Sequence, residues 1–194
     1  MKKISLNHKS YFIDDELLIL RLSKEHYISE TLEKSRYLKH NNRGEGYLKY
    51  HQNLYEAFIK PYLNKGLSLD FGCGPTKVYE QLIENTLSYD KYFFNNKIIF
   101  EKKFDNLILI EVLEHLKNPE DSIKLLSSLL NKGGRLFIST HFYDVNKLED
   151  WWYLRDETHV CFYNLDSFTR IGQKYHLELV YTDKEKLIVL EKVI

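Results

Sequence analysis

The sequence predicts an α/β fold: a mostly parallel sheet with helices on both faces and a C-terminal antiparallel hairpin. Three observations carry that prediction. Short apolar runs suited to buried strands alternate with stretches of helical periodicity from about residue 65 onward. The first such run, Leu67-Ser68-Leu69-Asp70, ends in an acid and passes directly into the turn Phe71-Gly72-Cys73-Gly74-Pro75, which feeds a helix. The last two runs, residues 177–181 and 187–193, flank the polar segment Thr182-Asp183-Lys184-Glu185 and read as a hairpin.

The elements follow in order. Residues 4–13 and 17–20 are extended apolar runs parted by Asp14-Asp15-Glu16, which suggests a small N-terminal hairpin. Residues 23–38 read as a helix. Residues 46–63 read as a second, with Tyr47, Tyr50, Leu54, Phe58 and Tyr62 at three- and four-residue spacings and Pro61 expected to kink or restart it. Gly66 then marks a boundary, so residues 1–64 are expected to form a hairpin and helical extension and residues 65–194 the core. Within the core, residues 77–85 should be helix, 87–90 a strand ending in Asp90, and 104–110 a strongly apolar strand. Asn118-Pro119-Glu120-Asp121 opens the next helix with a capping Asn, a proline at the first helical position and acids facing the positive end of the dipole. Asn131-Lys132-Gly133-Gly134 closes it; residues 135–140 form a strand and 165–175 a helix.

Composition narrows the function classes. A chain of 194 residues holds one domain with a full core. Lys plus Arg number 28 and Asp plus Glu 28, so no net field draws the protein to nucleic acid or anionic lipid, and neither partner is expected. No apolar run approaches the roughly 20 residues that span a bilayer, and no apolar signal core follows the N-terminal lysines, so a soluble cytoplasmic protein is expected. Only Cys73 and Cys161 occur, which argues against a disulfide framework. The 15 Tyr and 11 Phe fit either a ring-lined pocket or an AT-rich coding bias.

The chemistry starts at the glycine turn. Alternate glycines bring backbone N–H groups against a ligand, and Asp70 suits a cationic ligand end. Nicotinamide sites favour G-x-G-x-x-G, whose third glycine is here Lys77. The acid-x-Gly-x-Gly pattern of Asp70 to Gly74 resembles motif I of class I S-adenosylmethionine-dependent methyltransferases. Residues 104–115, an apolar strand running into Glu111-Val112-Leu113-Glu114-His115, resemble the fourth-strand motif of their ubiquinone-methylase-like branch. Arg36-Tyr37-Leu38-Lys39-His40-Asn41-Asn42 and Trp152-x-x-x-Arg155-Asp156-x-Thr158-His159-Val160-x-Phe162-Tyr163 resemble blocks in a bacterial group of mostly unassigned substrate.

The resemblance implies a Rossmann-like sheet and S-adenosyl-L-methionine as cofactor. It puts Asp70, Phe71, Gly72, Cys73 and Gly74 beside the methionine part, and Asp90 on the ribose hydroxyls, since a carboxylate offers two oxygens to a vicinal diol. Only thirteen residues separate Asp90 from Phe104, too few for the family's helix, third strand and crossover. The third strand is therefore expected to be absent or reduced to Ile98-Ile99-Phe100, with Lys91, Tyr92 and Phe93 supplying the adenine-side contact. Glu111 would border the cofactor with its backbone. Arg36 and His40, at i, i+4 spacing, would face one ligand from a helix folded over the core, or be a solvated helix end. Trp152, Arg155 and Tyr163 would bind the acceptor.

His159 is the first candidate base and His115 the second, because imidazole titrates near neutral pH. His159 reads equally as a latch bonded to Asp156 or backbone. No metal is expected: the paired cysteines of the group's zinc hairpin are missing, and nothing completes the pair His159-x-Cys161. The expected activity is methyl transfer to an O, N or C nucleophile of a small-molecule acceptor. A non-catalytic S-adenosylmethionine-binding protein and an NAD(P)-dependent oxidoreductase remain as alternatives.

Overall fold

A computed structural model describes residues 2–39 and 44–194, so the expectation for His40 lies outside the described residues. The central sheet contains β4 (Ser68–Phe71), β5 (Thr86–Tyr89), β6 (Phe104–Ile110), β7 (Leu130–Ser139), β9 (Leu177–Thr182) and β10 (Leu187–Lys192), in the order β5-β4-β6-β7-β10-β9. The first four run parallel, and β10 pairs antiparallel with both β7 and β9. The expected α/β architecture and C-terminal hairpin are both present.

Alternation along the strands builds two apolar layers, because successive side chains of a strand point to opposite faces. Leu107, Leu109, Leu136, Ile138, Ile188 and Leu190 join one cluster with Ile123 and Leu126 of α4 (Pro119–Leu129) and Phe168 and Ile171 of α5 (Leu165–Tyr175). The intervening Ile108, Phe137 and Val189 face the other way, onto Leu54 of α2 (Glu45–Leu54), Phe58 and Ile59 just beyond it, and Tyr79 of α3 (Val78–Leu82).

The third strand is absent among the described residues: residues 97–101 form a 3-10 turn, Ile98 is exposed and Ile99 is buried. The N-terminal hairpin forms with a different register. β1 (Lys2–Leu6) and β2 (Lys9–Ile13) pair across Asn7 and His8, both at positive φ (48° and 64°), the geometry of a two-residue hairpin turn. Asp14 to Glu16 instead lead to β3 (Leu20–Leu22), with the Asp14 carboxylate accepting from the Leu17 and Ile19 N–H groups. β3 pairs with β8 (Cys161–Phe162), giving a second sheet β1-β2-β3-β8. A single apolar run over residues 4–13 concealed this turn because Asn7-His8 lacks glycine.

Helix boundaries also shift. Residues 23–38 divide into a 3-10 turn at Lys24–His26 and α1 (Glu30–Lys39). α2 continues through a π turn at Tyr55–Ile59 into a 3-10 turn carrying Pro61, the restart expected there. Asn118 precedes α4 without a side-chain cap; its carbonyl instead accepts from Ser122 Oγ. Residues 131–134 lie within β7 rather than closing the helix.

Candidate active site

Asp70 lies in β4, and the chain then turns through Gly72 (φ +79°) and Gly74 (φ +60°). The Gly72 and Cys73 N–H groups donate to the Tyr89 carbonyl at 2.7 and 3.2 Å, fastening the turn to the end of β5. A side chain at Gly72 would put Cβ 2.6 Å from Val112 Cγ2, so only glycine fits between these strand ends. The Asp90 carboxylate completes the turn: Oδ2 accepts from Gly74 N at 3.1 Å, and Oδ1 from Tyr92 N and Phe93 N at 2.8 and 3.1 Å. Three of its about four acceptor positions are thus taken by backbone, which leaves one, on Oδ2, open to a ligand.

These groups open onto one cavity of about 700 Å³. Asp70 to Gly74, Asp90, Lys91 and Tyr92 line one side, and Glu111, Val112, His115, Asp156 and His159 another. Glu30, Glu33 and Tyr37 of α1 and Tyr47, Tyr50 and His51 of α2 also line it. Cavities of this size at the carboxyl ends of parallel strands are the usual ligand sites of open α/β sheets.

Electrostatics divide the cavity. Burial, with smaller contributions from Glu80 and Asp90, pushes the Asp70 carboxyl up to about 8, partly offset by the Tyr79 N–H facing it. A buried carboxyl at a cavity wall suits a cationic ligand end, whose charge favours its ionised form. His51 hydrogen-bonds Tyr79 Oη through Nδ1 at 3.0 Å, and burial lowers it to about 4, so it is neutral at physiological pH. Buried Glu33 faces Lys91 Nζ at 3.3 Å and Lys117 Nζ at 3.1 Å.

Across the cavity, Glu111 sits at φ +54°, where an L side chain is strained. Its carboxylate accepts from Ser139 Oγ at 2.6 Å and Tyr153 Oη at 2.9 Å. Glu114 is fully buried, and neither of its oxygens has a hydrogen-bond partner. That burial and the nearby Glu111 raise its carboxyl well above the ordinary range. His115 directs Nδ1 at the Thr158 carbonyl (3.1 Å) and His159 directs Nδ1 at the Tyr153 carbonyl (2.9 Å). A carbonyl only accepts, so each neutral ring carries its proton on Nδ1 and leaves Nε2 unprotonated, that of His115 standing 3.8 Å from Glu114 Oε1. Burial lowers His159 below the usual imidazole value. The rings stand 4.8 Å apart, edge to face. One side-chain N or O atom from each of Glu114, His115 and His159 lies within 4.8 Å of the others, the one group among the described residues compact enough to hold a metal ion. It joins segments distant in sequence, so ligand spacing could not reveal it.

Four expected ligand residues sit elsewhere. Arg36 is absent from the cavity lining and donates from Nη2 to Asp156 Oδ2 at 2.9 Å. Trp152 is 56% exposed, edge-on to His141, and Arg155 is exposed, because their short 3-10 turn points Tyr153 and Leu154 inward instead. Tyr163 is fully buried, stacked on Phe168, with its hydroxyl donating to the Leu113 carbonyl at 3.4 Å. Sequence reasoning missed Glu33, Tyr37, Tyr47, Tyr50 and His51. Tyr47, Tyr50 and His51 share one helix face, and that periodicity was the available signal.

Comparison with known proteins bears on this arrangement. A family described as a methyltransferase domain matches residues 47–182. A tRNA U34 carboxymethyltransferase of Campylobacter hominis is 26% identical over 103 residues, 53% of this chain and 32% of that protein. A mitochondrial ubiquinone biosynthesis O-methyltransferase of Dictyostelium discoideum is 35% identical over 66 residues, 33% of this chain and 21% of that protein. The chain thus spans about a third or less of these curated relatives. Among solved structures, the N-methyltransferase NodS of Bradyrhizobium japonicum, in complex with S-adenosyl-L-homocysteine, superimposes with a TM-score of 0.53. At 15% identity, covering 83% of this chain and 97% of that one, the likeness is one of fold.

Proposed function

We propose, from the premise that this chain belongs to the class I S-adenosylmethionine-dependent methyltransferases, that it transfers a methyl group to a nucleophile of a small-molecule acceptor. One observation carries the reading. Asp70, the glycine turn and Asp90 meet at the ends of adjoining parallel strands, and the cavity they open is faced by two histidines whose Nδ1 atoms abut carbonyls.

The residues fit the cofactor. Buried Asp70 takes its cationic amino-acid end, the remaining acceptor position of Asp90 takes a ribose hydroxyl, and Tyr92 and Lys91 border the adenine side. The bound sulfonium supplies an electrophilic methyl group. The protein's work is to align the acceptor with it and exclude water. His159 Nε2 accepts the acceptor's proton where the nucleophile is a hydroxyl or amine, with His115 as the alternative base. Residues 1–64 act as an extension whose α1 and α2 cover the cavity over a core of residues 65–194.

Small-molecule transfer is favoured because α1 and α2 wall the cavity and the chain's charge is balanced. An RNA nucleoside is the second reading, favoured by the likeness to tRNA U34 carboxymethyltransferase. Incubation with methyl-tritiated S-adenosylmethionine and separate small-metabolite and total-RNA fractions decides between them. Label in the metabolite fraction supports the first reading. Label confined to RNA supports the second, and no label in either contradicts both.

A further inference from the structure

Arg36 stands outside the cavity, yet the contacts it makes lead directly to both histidines. From α1 it donates to Asp156 Oδ2 at 2.9 Å. The other oxygen, Asp156 Oδ1, accepts from Thr158 N at 2.9 Å and Thr158 Oγ1 at 2.7 Å, and the Asp156 carbonyl accepts from His159 N at 3.2 Å. One aspartate thus shapes the turn 156–159. The Thr158 carbonyl emerging from that turn is the group that faces His115 Nδ1. The neighbouring Tyr37 of α1 packs edge-on to the His115 ring, with centroids 5.5 Å apart.

We propose that Arg36 is a positioning residue: through Asp156 it fixes the turn whose Thr158 carbonyl keeps the His115 proton on Nδ1, so that docking of α1 readies the histidine face of the cavity. The energy of the ion pair is not what matters. Arg36 is 40% exposed, and such pairs are worth little by themselves. What it supplies is orientation, because the ring nitrogen that carries a histidine's proton is set by the bond its other nitrogen makes. Neutral imidazole in water prefers the opposite tautomer, with the proton on Nε2. A His115 released from Thr158 therefore turns an N–H toward the Glu114 carboxyl, whose Oε1 stands 3.8 Å from Nε2, and no longer offers an acceptor there.

The inference rests on the methyltransferase reading only for the use made of Nε2. The tautomer is read without cofactor or acceptor, so the two ideas fail separately. Nitrogen-15 NMR of the histidine rings at about pH 8.5, where imidazoles are neutral, distinguishes the tautomers directly. The wild-type protein is expected to show His115 and His159 with protons on Nδ1. In Arg36→Ala, His115 moves to a population dominated by Nε2–H, whereas Arg36→Lys keeps most of the Nδ1–H form. Asp156→Asn, which keeps the acceptor for Thr158 but loses the charge, gives an intermediate population and serves if Arg36→Ala does not fold. S-adenosylhomocysteine affinity, measured by calorimetry, stays within about twofold in Arg36→Ala and Arg36→Lys, since Arg36 lies outside the cavity lining. Wild-type tautomers in both Arg36→Ala and Asp156→Asn would overturn the proposal. A tenfold or greater loss of S-adenosylhomocysteine affinity with unchanged tautomers would also overturn it, marking Arg36 as a cofactor contact.

Discussion

Glu111 and Ser139 are joined twice across the ends of β6 and β7: Glu111 N donates to the Ser139 carbonyl at 2.9 Å, and Ser139 Oγ donates to Glu111 Oε1 at 2.6 Å. The second bond, with that from Tyr153, offsets the strain of a non-glycine residue at φ +54°. It also directs the chain from β6 along the cavity wall to His115.

Removing that carboxylate leaves the buried Ser139 hydroxyl without its acceptor and Tyr153 Oη with only Thr140 Oγ1, at 3.4 Å. Glu111→Ala is expected to lower stability by about 2–4 kcal/mol, and Glu111→Gln by less, since its amide oxygen still accepts one bond. Urea unfolding midpoints of the three proteins test the ranking. Equal midpoints would show that the two bonds offset nothing.

Gly72 is held by backbone angle and by Val112 together. Gly72→Ala is expected to cost about 1–3 kcal/mol and to weaken S-adenosylhomocysteine binding, because the turn must open to admit Cβ. Adding Val112→Ala relieves the clash but not the positive φ, so the double variant should recover part of the loss. Calorimetry and thermal melting of the pair check this, and full recovery would mean that φ carries no cost.

Asp90 serves the turn as much as any ligand. Asp90→Asn keeps one acceptor oxygen, whereas Asp90→Ala leaves the Gly74, Tyr92 and Phe93 N–H groups without their side-chain acceptor. Asp90→Ala should therefore lose both stability and S-adenosylhomocysteine affinity, by about 1–3 kcal/mol in stability, and Asp90→Asn should lose mainly affinity. Paired melting and calorimetric measurements separate the two. Unchanged affinity in both variants would remove Asp90 from the binding site.

The ligand-free protein should lose stability as pH rises above neutrality. Asp70 ordinarily ionises at 3.8 but holds its proton to about 8 in the fold. The unfolded chain therefore binds fewer protons between these values, and this residue's contribution falls as pH rises through that window. His51 has the opposite sign: burial lowers it from 6.5 to about 4, so its contribution is complete above 6.5 and is lost as pH falls towards 4. The two oppose each other below 6.5, and above it only the Asp70 contribution of the pair still changes. Urea unfolding between pH 6.5 and 8 should show a decline that Asp70→Asn flattens. An identical slope in wild type and variant would contradict the burial of an ionising Asp70.

The sequence carried the sheet because its strands follow a period of two under apolar cover, and because Asp70, Gly72 and Gly74 need their residue types for backbone reasons that apply in any surroundings. β6, α5 and the C-terminal hairpin match their expected ranges closely. The absent or reduced third strand followed from setting the thirteen residues between Asp90 and Phe104 against the ground plan that the family resemblance implied. Other features depend on partners distant in the chain. Arg36 read as a ligand contact or a solvated helix end, and only the fold shows Asp156, 120 residues away, as its partner. Tyr163 and Trp152 belonged to one block, yet the local turn buried the first and exposed the second. Glu33 carried no motif, and only the fold brings Lys91 and Lys117 to it. Asp90 was legible as a site residue, but its backbone partners became visible only with the turn built around it.

The central claim is that a sulfonium nucleoside occupies the cavity above β4 and β5. Calorimetric titration of the wild-type protein with S-adenosylhomocysteine, and in parallel with NAD, NADP and ATP, tests it most directly. The account predicts saturable one-to-one binding of S-adenosylhomocysteine alone, weakened by Asp70→Asn. Binding of NAD or NADP in its place, or no binding of S-adenosylhomocysteine to the folded protein, would contradict it.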